Sequence, residues 1–224
     1  MKTLNIVLTK LILTITILIL SQSNTQAQSK NFYIKPSYTI IKLAEQSTAD
    51  IGGLSFENTF SLSDSRTLGV SLGYQFLPNT YIDIVLGVPP SLDITGHNEF
   101  EGTEIGSIVY APMIMSIDHR IIRLGRLSSI IGAGINYTYI LKETDNAIEE
   151  LTVNNFFAPL IKLGLDFRIS NSISLSITAN KIIKGSTSVT GKLSEGIPGL
   201  GGAPVKSDIQ LNPTAIQLGF TYGL

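Results

Sequence analysis

Apolar and polar side chains alternate along several stretches of the chain with a period of two. In TLGVSLGYQF, residues 67–76, aliphatic and aromatic side chains such as Leu68 fall on one face, whereas glycines and serines such as Ser71 fall on the other. The stretches 158–169 and 172–180 show the same alternation. Because successive side chains of a strand point to opposite faces, these stretches predict strands with two chemically distinct faces.

Eight segments of this kind follow one another along the chain. An even number of long antiparallel strands is typical of single-chain outer-membrane barrels. The predicted strands are 31–42, 67–76, 80–92, 107–119, 128–142, 155–169, 172–184 and 209–222.

Short and long connections separate the predicted strands. The turns at 77–80 and 170–172 are tight, and the connection at 120–127 is of modest length. Short turns at one end and long loops at the other are typical of an outer-membrane barrel. Within the loops, ETDNAIEEL is a candidate helical segment. The long loops, which are polar or rich in glycine, are predicted at 43–66, 93–106, 143–154 and 185–208.

The alternation alone leaves two architectures open. A membrane barrel turns its apolar face to lipid, whereas a secreted soluble β-barrel or sandwich turns it inward. The predicted strands are long against the globular mode of about 5–6 residues, the other face is rich in small residues, and aromatic residues such as Phe76 and Phe167 lie near strand ends. We therefore predict an all-β fold, an eight-stranded antiparallel transmembrane up-and-down β-barrel.

The first residues have the three-part pattern of a secretory signal peptide. Lys2 and Lys10 precede an apolar run, residues 11–20, and the small residues Thr25 and Ala27 lie in the polar stretch that follows it. This pattern predicts a signal peptide over 1–27 and a barrel over 28–224. The alternative is an uncut anchor, but a spanning helix needs roughly 20 apolar residues and this run is shorter.

Composition argues against several other classes of protein. Lysine and arginine number 16 against 17 aspartates and glutamates, so there is no basic surface for nucleic acid. The absence of cysteine excludes a disulfide scaffold and a thiolate metal site. Ser116 and His119 are three residues apart on one predicted strand and so face opposite ways, which disfavours a Ser–His pair. We expect no enzymatic activity, no metal site and no cofactor.

Several motifs resemble the OmpW family of small outer-membrane proteins, in consistent order over the whole mature chain. In SSIIGAGINYTYIL, Gly132, Gly134, Asn136, Tyr137 and Thr138 match that family's Gly-Xaa-Gly-Xaa-Asn-Tyr-Thr strand. The stretches GYQFLPNTYIDIVLGVPP, APMIMSIDHR, GLDFRISNSISLSITANK and LNPTAIQLGFTYGL are similar to its other strands and hairpins.

The resemblance implies an eight-stranded barrel with an apolar interior funnel, which admits small hydrophobic molecules and releases them sideways into the membrane. The chain departs from the family in two respects. It contains no tryptophan, and it has Leu224 where the family commonly ends in Phe. A ligand contact that the family assigns to a tryptophan therefore does not carry over to this chain.

Strand parity, with the tight turns placed on the periplasmic side, predicts a polar lower interior. A mixed-sign network there would block bulk flow through a narrow barrel, although a purely structural packing role is the favoured interpretation. The residues of the predicted network are Gln75, Asp83, Asp118, Lys162, Asp166, Arg168 and Gln217.

The upper interior is predicted to be apolar, and inward apolar side chains there suit a pocket for a hydrophobic guest. Packing against loop residues is the alternative. A proline removes a ladder hydrogen bond, so Pro112 predicts a gap between strands and a lateral exit, and Pro159 and Pro213 are further candidates. The predicted lining residues are Val85, Tyr110, Pro112, Ile114, Ile140 and Leu160.

The sequence therefore predicts a monomeric outer-membrane barrel that passively passes or binds small hydrophobic molecules. The alternative is a structural or adhesive barrel with a filled interior and partner-binding loops. The expected partners are outer-membrane lipid, the barrel-assembly machinery, and small hydrophobic ligands or detergent. Phe220, Tyr222 and Leu224 form the predicted assembly signal at the end of a strand that closes against the first.

Overall fold

The computed structural model describes residues 31–43, 45–57, 59–195 and 201–224. The predicted signal peptide over 1–27 lies outside the described residues. Within them, strands dominate and one short 3-10 helix, Asn98–Phe100, interrupts them. No helix in the described ranges has the length and apolar character needed to cross a membrane.

Fifteen strands form in the described part of the chain. They are β1 (Phe32–Lys42), β2 (Glu45–Ile51), β3 (Leu54–Glu57), β4 (Phe60–Leu62), β5 (Ser65–Leu77), β6 (Thr80–Gly87), β7 (Ser91–Gly96), β8 (Glu104–Leu124), β9 (Leu127–Asp145), β10 (Ile148–Val153), β11 (Phe156–Arg168), β12 (Ile173–Ile182), β13 (Gly185–Leu193), β14 (Pro204–Leu211) and β15 (Thr214–Gly223).

Eight of these strands close into an antiparallel barrel in the order β1, β5, β6, β8, β9, β11, β12 and β15. The last strand returns to the first, since Tyr38 of β1 pairs with Leu218 of β15 on one side and with Leu68 of β5 on the other. Closure leaves none of these strands with an open edge, as a barrel in lipid requires. The predicted fold class is confirmed.

The exposure of the side chains shows which face of the strands points out of the barrel. Leu68 and Leu163 point outward and are 62% and 58% exposed, whereas Ser71 and Lys162 point inward and are fully buried. A soluble barrel or sandwich would have the reverse arrangement, because apolar surface is driven out of water. The apolar face of the strands is therefore the lipid-facing surface, and the small and polar face fills the interior.

The long connections are more regular than the sequence analysis predicted. A second, five-stranded sheet forms from them in the order β10, β13, β14, β2 and β3. We call it the upper sheet. It packs its apolar face over the open end of the barrel, where Ile51 and Val205 join one core with Ile41 of β1 and Tyr110 of β8. The alternation of apolar and polar residues in PVKSDIQL was a signal for β14. The polar residues on the outer face of this strand are, however, also typical of a solvated loop.

Three predicted segments need correction. The candidate helix ETDNAIEEL contains the end of β9, a turn and the start of β10, which belong to different sheets. The Asp145 carboxylate holds the turn by accepting bonds from the amides of Glu150 and Leu151. The predicted strand 80–92 is divided into β6 and β7 around Pro89 and Pro90, which cannot donate to a ladder. The predicted strand 209–222 is divided in the same way around Pro213.

The aromatic pair at the periplasmic end of β15 generates a prediction about assembly. Phe220 and Tyr222 face outward and are 56% and 39% exposed. Replacing both with Ser (Phe220→Ser with Tyr222→Ser) should impair insertion, because it removes the interfacial aromatic anchors and the predicted assembly signal from the closing strand. Insertion is measured as the heat-modifiable gel band in the outer-membrane fraction.

The matched control for that variant removes one exposed Tyr and one exposed Phe at the opposite end of the barrel. Tyr139→Ser with Phe157→Ser fits, since these side chains are 48% and 60% exposed. Insertion of the Phe220 and Tyr222 variant at the level of this control would contradict the prediction.

Candidate ligand cavity

An apolar cavity occupies the upper half of the barrel. About 80 Å³ of it is accessible to the centre of a water-sized sphere, and the whole hollow, counted together with the solvent at its mouth, measures about 980 Å³. Apolar side chains form nearly all of its wall. Among the residues predicted from the sequence, the cavity is lined by Val85, Tyr110, Pro112, Ile114 and Ile140.

Leu160, the sixth predicted lining residue, lies elsewhere. It is 2% exposed and packs with Val85, Ile114, Ala158 and Ile182 in a cluster beside the cavity. Its side chain is covered by these neighbours and so does not reach the cavity wall. Leu160 therefore supports the lining residues and does not itself form the cavity surface.

Sequence reasoning missed the part of the cavity that the upper sheet contributes. Most of these residues lie in segments that were predicted to be loops, although their alternation with polar neighbours was a usable signal; Leu92, Ile209 and Leu211 lie in predicted strands but were not predicted to line the cavity. They extend the apolar wall away from the membrane-spanning part of the barrel. The additional apolar lining residues from this region are Leu43, Leu62, Leu92, Ile94, Val153, Val189, Ile209 and Leu211.

The interior changes from apolar to polar between two successive inward-facing residues on several strands. Along β6, Val85 is followed by Asp83; along β11, Leu160 is followed by Lys162. On β8, Ile114 is followed by Ser116, in the same direction toward the tight turns. Because two residues along a strand span roughly 6.6 Å, the change occurs at a sharp boundary. We call the residues below it, Tyr33, Lys35, Asp83, Ser116, Asp118 and Lys162, the polar layer.

Lys162 is the centre of the polar layer. Its Nζ donates to Asp83 Oδ2 at 2.9 Å, to Asp118 Oδ2 at 2.8 Å and to Ser116 Oγ at 2.7 Å, so all three of its protons are used. The side chains of Lys162 and Asp83 are 0% exposed. This geometry satisfies an ammonium that would otherwise be buried at a high cost.

Two further groups complete the balance of charge around Asp83. Lys35 Nζ lies 3.8 Å from Asp83 Oδ2, and the Tyr33 hydroxyl donates to Asp83 Oδ1 at 2.7 Å. The layer therefore holds two ammonium groups and two carboxylates in contact. Tyr33 and Lys35 were missed from the sequence, although both lie at inward positions of β1.

Two glycines on β9 make room for this arrangement. A Cβ at Gly132 would collide with the Asp118 carboxylate, and one at Gly134 would collide with Ser116 and the backbone of β8. The Gly-Xaa-Gly motif therefore has a steric role, since it lets β9 lie against the residues that hold Lys162. Substituted side chains there would displace the ligands of the ammonium.

The remaining predicted polar residues lie in two other places. Gln217 is 3% exposed, and its Oε1 accepts bonds from Thr178 Oγ1 and Asn180 Nδ2, both at 3.2 Å. Gln75, Asp166 and Arg168 line a polar vestibule of about 210 Å³ at the tight-turn end. The predicted seven-residue set is thus not one network.

In the vestibule, Asp166 pairs with a residue that the sequence analysis missed. Arg120 lies 3.2 Å from Asp166 through Nη2, donates to the Tyr81 hydroxyl at 2.8 Å and stacks on the Tyr81 ring at 5.2 Å. The predicted interior position of Arg168 is wrong: its side chain is exposed at the rim of the vestibule and donates to the Gly125 carbonyl. The position of Arg168 at the strand end, where the barrel meets solvent, explains this.

The arrangement is suited to binding an apolar molecule. No group of residues in the described ranges has the composition and proximity of a metal site. Ser116 bonds Lys162 inside the barrel, whereas His119 Nδ1 lies 2.9 Å from Thr80 Oγ1 on the outside. The site is therefore an apolar cavity that extends up to the upper sheet and ends below on a closed layer of paired charges.

The comparisons with known proteins agree with this architecture. The family model described as the OmpW family matches residues 28–224. The chain is 28% identical over 120 residues to the dibenzothiophene metabolism operon protein PahQ of Pseudomonas aeruginosa, which covers 54% of this chain and 57% of that protein. The chain thus spans little more than half the length of that relative. It is 26% identical over 175 residues to the outer membrane protein AlkL of Ectopseudomonas oleovorans, covering 77% and 73%.

Two solved structures share the fold. The crystal structure of the outer membrane protein OprG from Pseudomonas aeruginosa has a TM-score of 0.75 at 16% identity, covering 90% of this chain and 99% of that one. The solid-state NMR structure of AlkL in lipid bilayers has a TM-score of 0.66 at 23% identity, covering 91% and 96%.

The polar layer generates a stability prediction. Lys162→Met should lower the free energy of unfolding by about 3–5 kcal/mol, because it leaves Asp83 and Asp118 buried without their main partner. Adding Asp83→Asn and Asp118→Asn to that variant should recover part of the loss. Unfolding is followed in urea by the loss of the heat-modifiable band.

The control is a lysine in an exposed ion pair. Lys192 lies 2.9 Å from Glu150, and both side chains are more than half exposed. Lys192→Met should therefore cost no more than about 1 kcal/mol. Equal effects of the two single substitutions would show that the polar layer contributes nothing special to stability.

Proposed function

The chain belongs to the OmpW family and is an outer-membrane barrel, and on that premise we propose that it takes up small hydrophobic molecules passively. The observation that carries the proposal is the apolar cavity of the upper barrel. A concave apolar site with a few polar groups is the usual form of a small-molecule pocket. A guest enters from the side of the upper sheet and binds against Val85, Ile114 and their neighbours.

The polar layer closes the straight route to the periplasm. A hydrophobic guest that moved past Lys162 would have to separate it from Asp83 and Asp118, and it offers no hydrogen bonds in return. Unpaired buried charges are costly. A guest that moves onward, and does not return the way it entered, therefore leaves through the wall of the barrel.

The wall is weakest beside Pro112. The ladder between β6 and β8 ends at the pair of Leu86 and Met113, and the ladder between β7 and β8 begins only at the pair of Ser91 and Val109. Between them, one bond joins the Tyr110 amide to the Pro90 carbonyl at 3.2 Å.

Prolines account for this interruption. Pro89, Pro90 and Pro112 have no N–H with which to bridge the strands. Gly87 and Pro112 line the cavity. A guest that passes between them enters the lipid directly, and we propose this as the lateral exit.

The other two candidate prolines support the proposal less well. Pro159 pairs with Ile135 inside a continuous β9–β11 ladder, and its carbonyl accepts from the Ile183 amide at 2.9 Å. The Pro213 carbonyl accepts from the Ile182 amide at 3.0 Å. Both prolines are tied to a neighbouring strand, so the exit is assigned to Pro112.

The printed names of relatives are consistent with an apolar guest. PahQ and DoxH, each 28% identical over 120 residues, are named for an operon of dibenzothiophene metabolism. Dibenzothiophene is an uncharged aromatic compound, and an apolar cavity suits molecules of that character.

Filling the cavity tests whether it is the binding site. Ile114→Trp should lower the uptake of a hydrophobic fluorescent dye several-fold, because the larger side chain occupies the space that the guest needs. The matched control is Met115→Trp, since Ile114 is 6% exposed and faces the cavity whereas Met115 is 48% exposed and faces lipid. The readout is the rate of dye entry into cells that carry each variant at equal surface amount.

Equal dye entry for parent, Ile114→Trp and Met115→Trp proteins would contradict the proposal. It would instead favour the alternative of a structural or adhesive barrel whose loops bind partners.

Restoring a hydrogen-bond donor at the gap tests the lateral exit. Pro112→Val returns an N–H to β8 opposite Gly87, which should strengthen the wall and slow dye entry several-fold without reducing dye binding by the purified protein. Pro36→Val is the control, because it returns an N–H at another interruption, between the pairs Ile34–Tyr222 and Ser37–Gly219 of β1 and β15, at a residue that does not line the cavity. Unchanged entry in the Pro112→Val protein would contradict the lateral exit and leave the binding site untouched.

A further inference from the structure

Lysine and arginine side chains cluster on one side of the barrel, at its boundary with the upper sheet. Lys42 of β1 pairs with Thr214 of β15, and Thr214 pairs with Lys181 of β12. Arg66 of β5 lies opposite Ile40, one outward position below Lys42. Since neighbouring strands are about 4.8 Å apart, the cations on these four strands fall within about 15 Å. We call Lys42, Arg66 and Lys181 the basic patch.

One described carboxylate lies beside the basic patch: Asp64 Oδ1 accepts a bond from the amide of Leu43, the residue after Lys42, at 3.3 Å. None of the three members of the patch forms an ion pair with a described carboxylate. The Lys181 ammonium donates to the Asn212 carbonyl and to Thr214 Oγ1, which are neutral. Lys42 and Arg66 are exposed. The patch therefore presents positive charge that is available to an external anion.

The surroundings of the patch place it at the edge of the lipid-facing surface. On the side toward the tight turns lie exposed apolar side chains, among them Tyr38, Leu68 and Leu218, which pair across β5, β1 and β15. On the other side, β14 turns polar residues such as Asp208 and Gln210 outward. Cations at such a boundary lie at the level of lipid headgroups.

The opposite side of the barrel has a single exposed lysine near this end among the described residues, Lys142 of β9, and no cluster of cations. Other outward residues near the ends of β6, β8, β9 and β11 are apolar, and each is at least 43% exposed: Leu86, Met113, Tyr139 and Phe157. The patch is therefore a local feature of one side and not part of a ring of charge. The proposed exit at Pro112 lies on the other side of the barrel from the patch.

We propose that the basic patch binds the phosphate groups of lipid A, the membrane anchor of lipopolysaccharide. The long connections and the upper sheet mark this end of the barrel as the extracellular one, and the outer leaflet there consists largely of lipopolysaccharide. Its phosphates accept charge-assisted hydrogen bonds from Lys and Arg. Its acyl chains run along the apolar face of β5, β1 and β15. The assignment does not depend on what enters the cavity.

The test compares two variants that lose the same charge. Lys42→Gln with Arg66→Gln removes the two exposed members of the patch, neither of which makes a described side-chain bond. Lys142→Gln with Lys206→Gln removes two exposed lysines elsewhere at the same end. Each refolded barrel, checked for heat-modifiable mobility, is titrated in detergent with bisphosphorylated lipid A, monophosphoryl lipid A and phosphatidylglycerol, and bound lipid is counted by native mass spectrometry.

The parent protein should bind bisphosphorylated lipid A more tightly than the other two lipids. The patch variant should lose about tenfold or more in affinity for it, since two charge-assisted contacts with the phosphates are removed. The control variant should bind like the parent. Equal losses in both variants, no loss in the patch variant, or equal binding of phosphatidylglycerol by the parent would each overturn the proposal.

Discussion

The contact of the Lys162 ammonium with Asp83, Asp118 and Ser116 is the interaction on which the interior depends. Three strands meet at it: β11 supplies the cation, β6 one carboxylate, and β8 the other carboxylate and the hydroxyl. A fully buried charge is tolerable only when such partners surround it. The interaction therefore ties three walls of the barrel together and closes the bore at the same point.

The cavity lies directly above this closure. Side chains fill the interior of a narrow eight-stranded barrel unless their packing leaves space. Here the space lies above Val85 and Ile114, one inward position from Asp83 and Ser116, and the upper sheet extends its wall. The same barrel thus offers an apolar surface to a guest on one side of a sharp boundary and hydrated, charged groups in the vestibule on the other. This division is also the reason that the proposed exit lies in the wall of the barrel, near Pro112.

The barrel was predictable from the sequence because its lipid-facing strands alternate without interruption. The interior face followed from parity, which placed Lys162, Asp83 and Ile114 correctly. Parity could not show which inward residues meet, since shear between strands decides that; Gln217 and Asp166 therefore lie apart from Lys162. The upper sheet was missed because strands such as β13 and β14 are short and carry Ser, Thr and Lys on their outer face, as loops do.

The central claim is that an apolar guest occupies the cavity above the polar layer and goes no further down the bore. Anomalous scattering from crystals soaked with a small brominated hydrocarbon measures this directly, because bromine marks the guest's position without any variant. The account predicts a bromine peak among Val85, Ile114 and Ile140 and none between Lys162 and the vestibule. A peak below Lys162, with Asp83 and Asp118 displaced from it, would contradict the account.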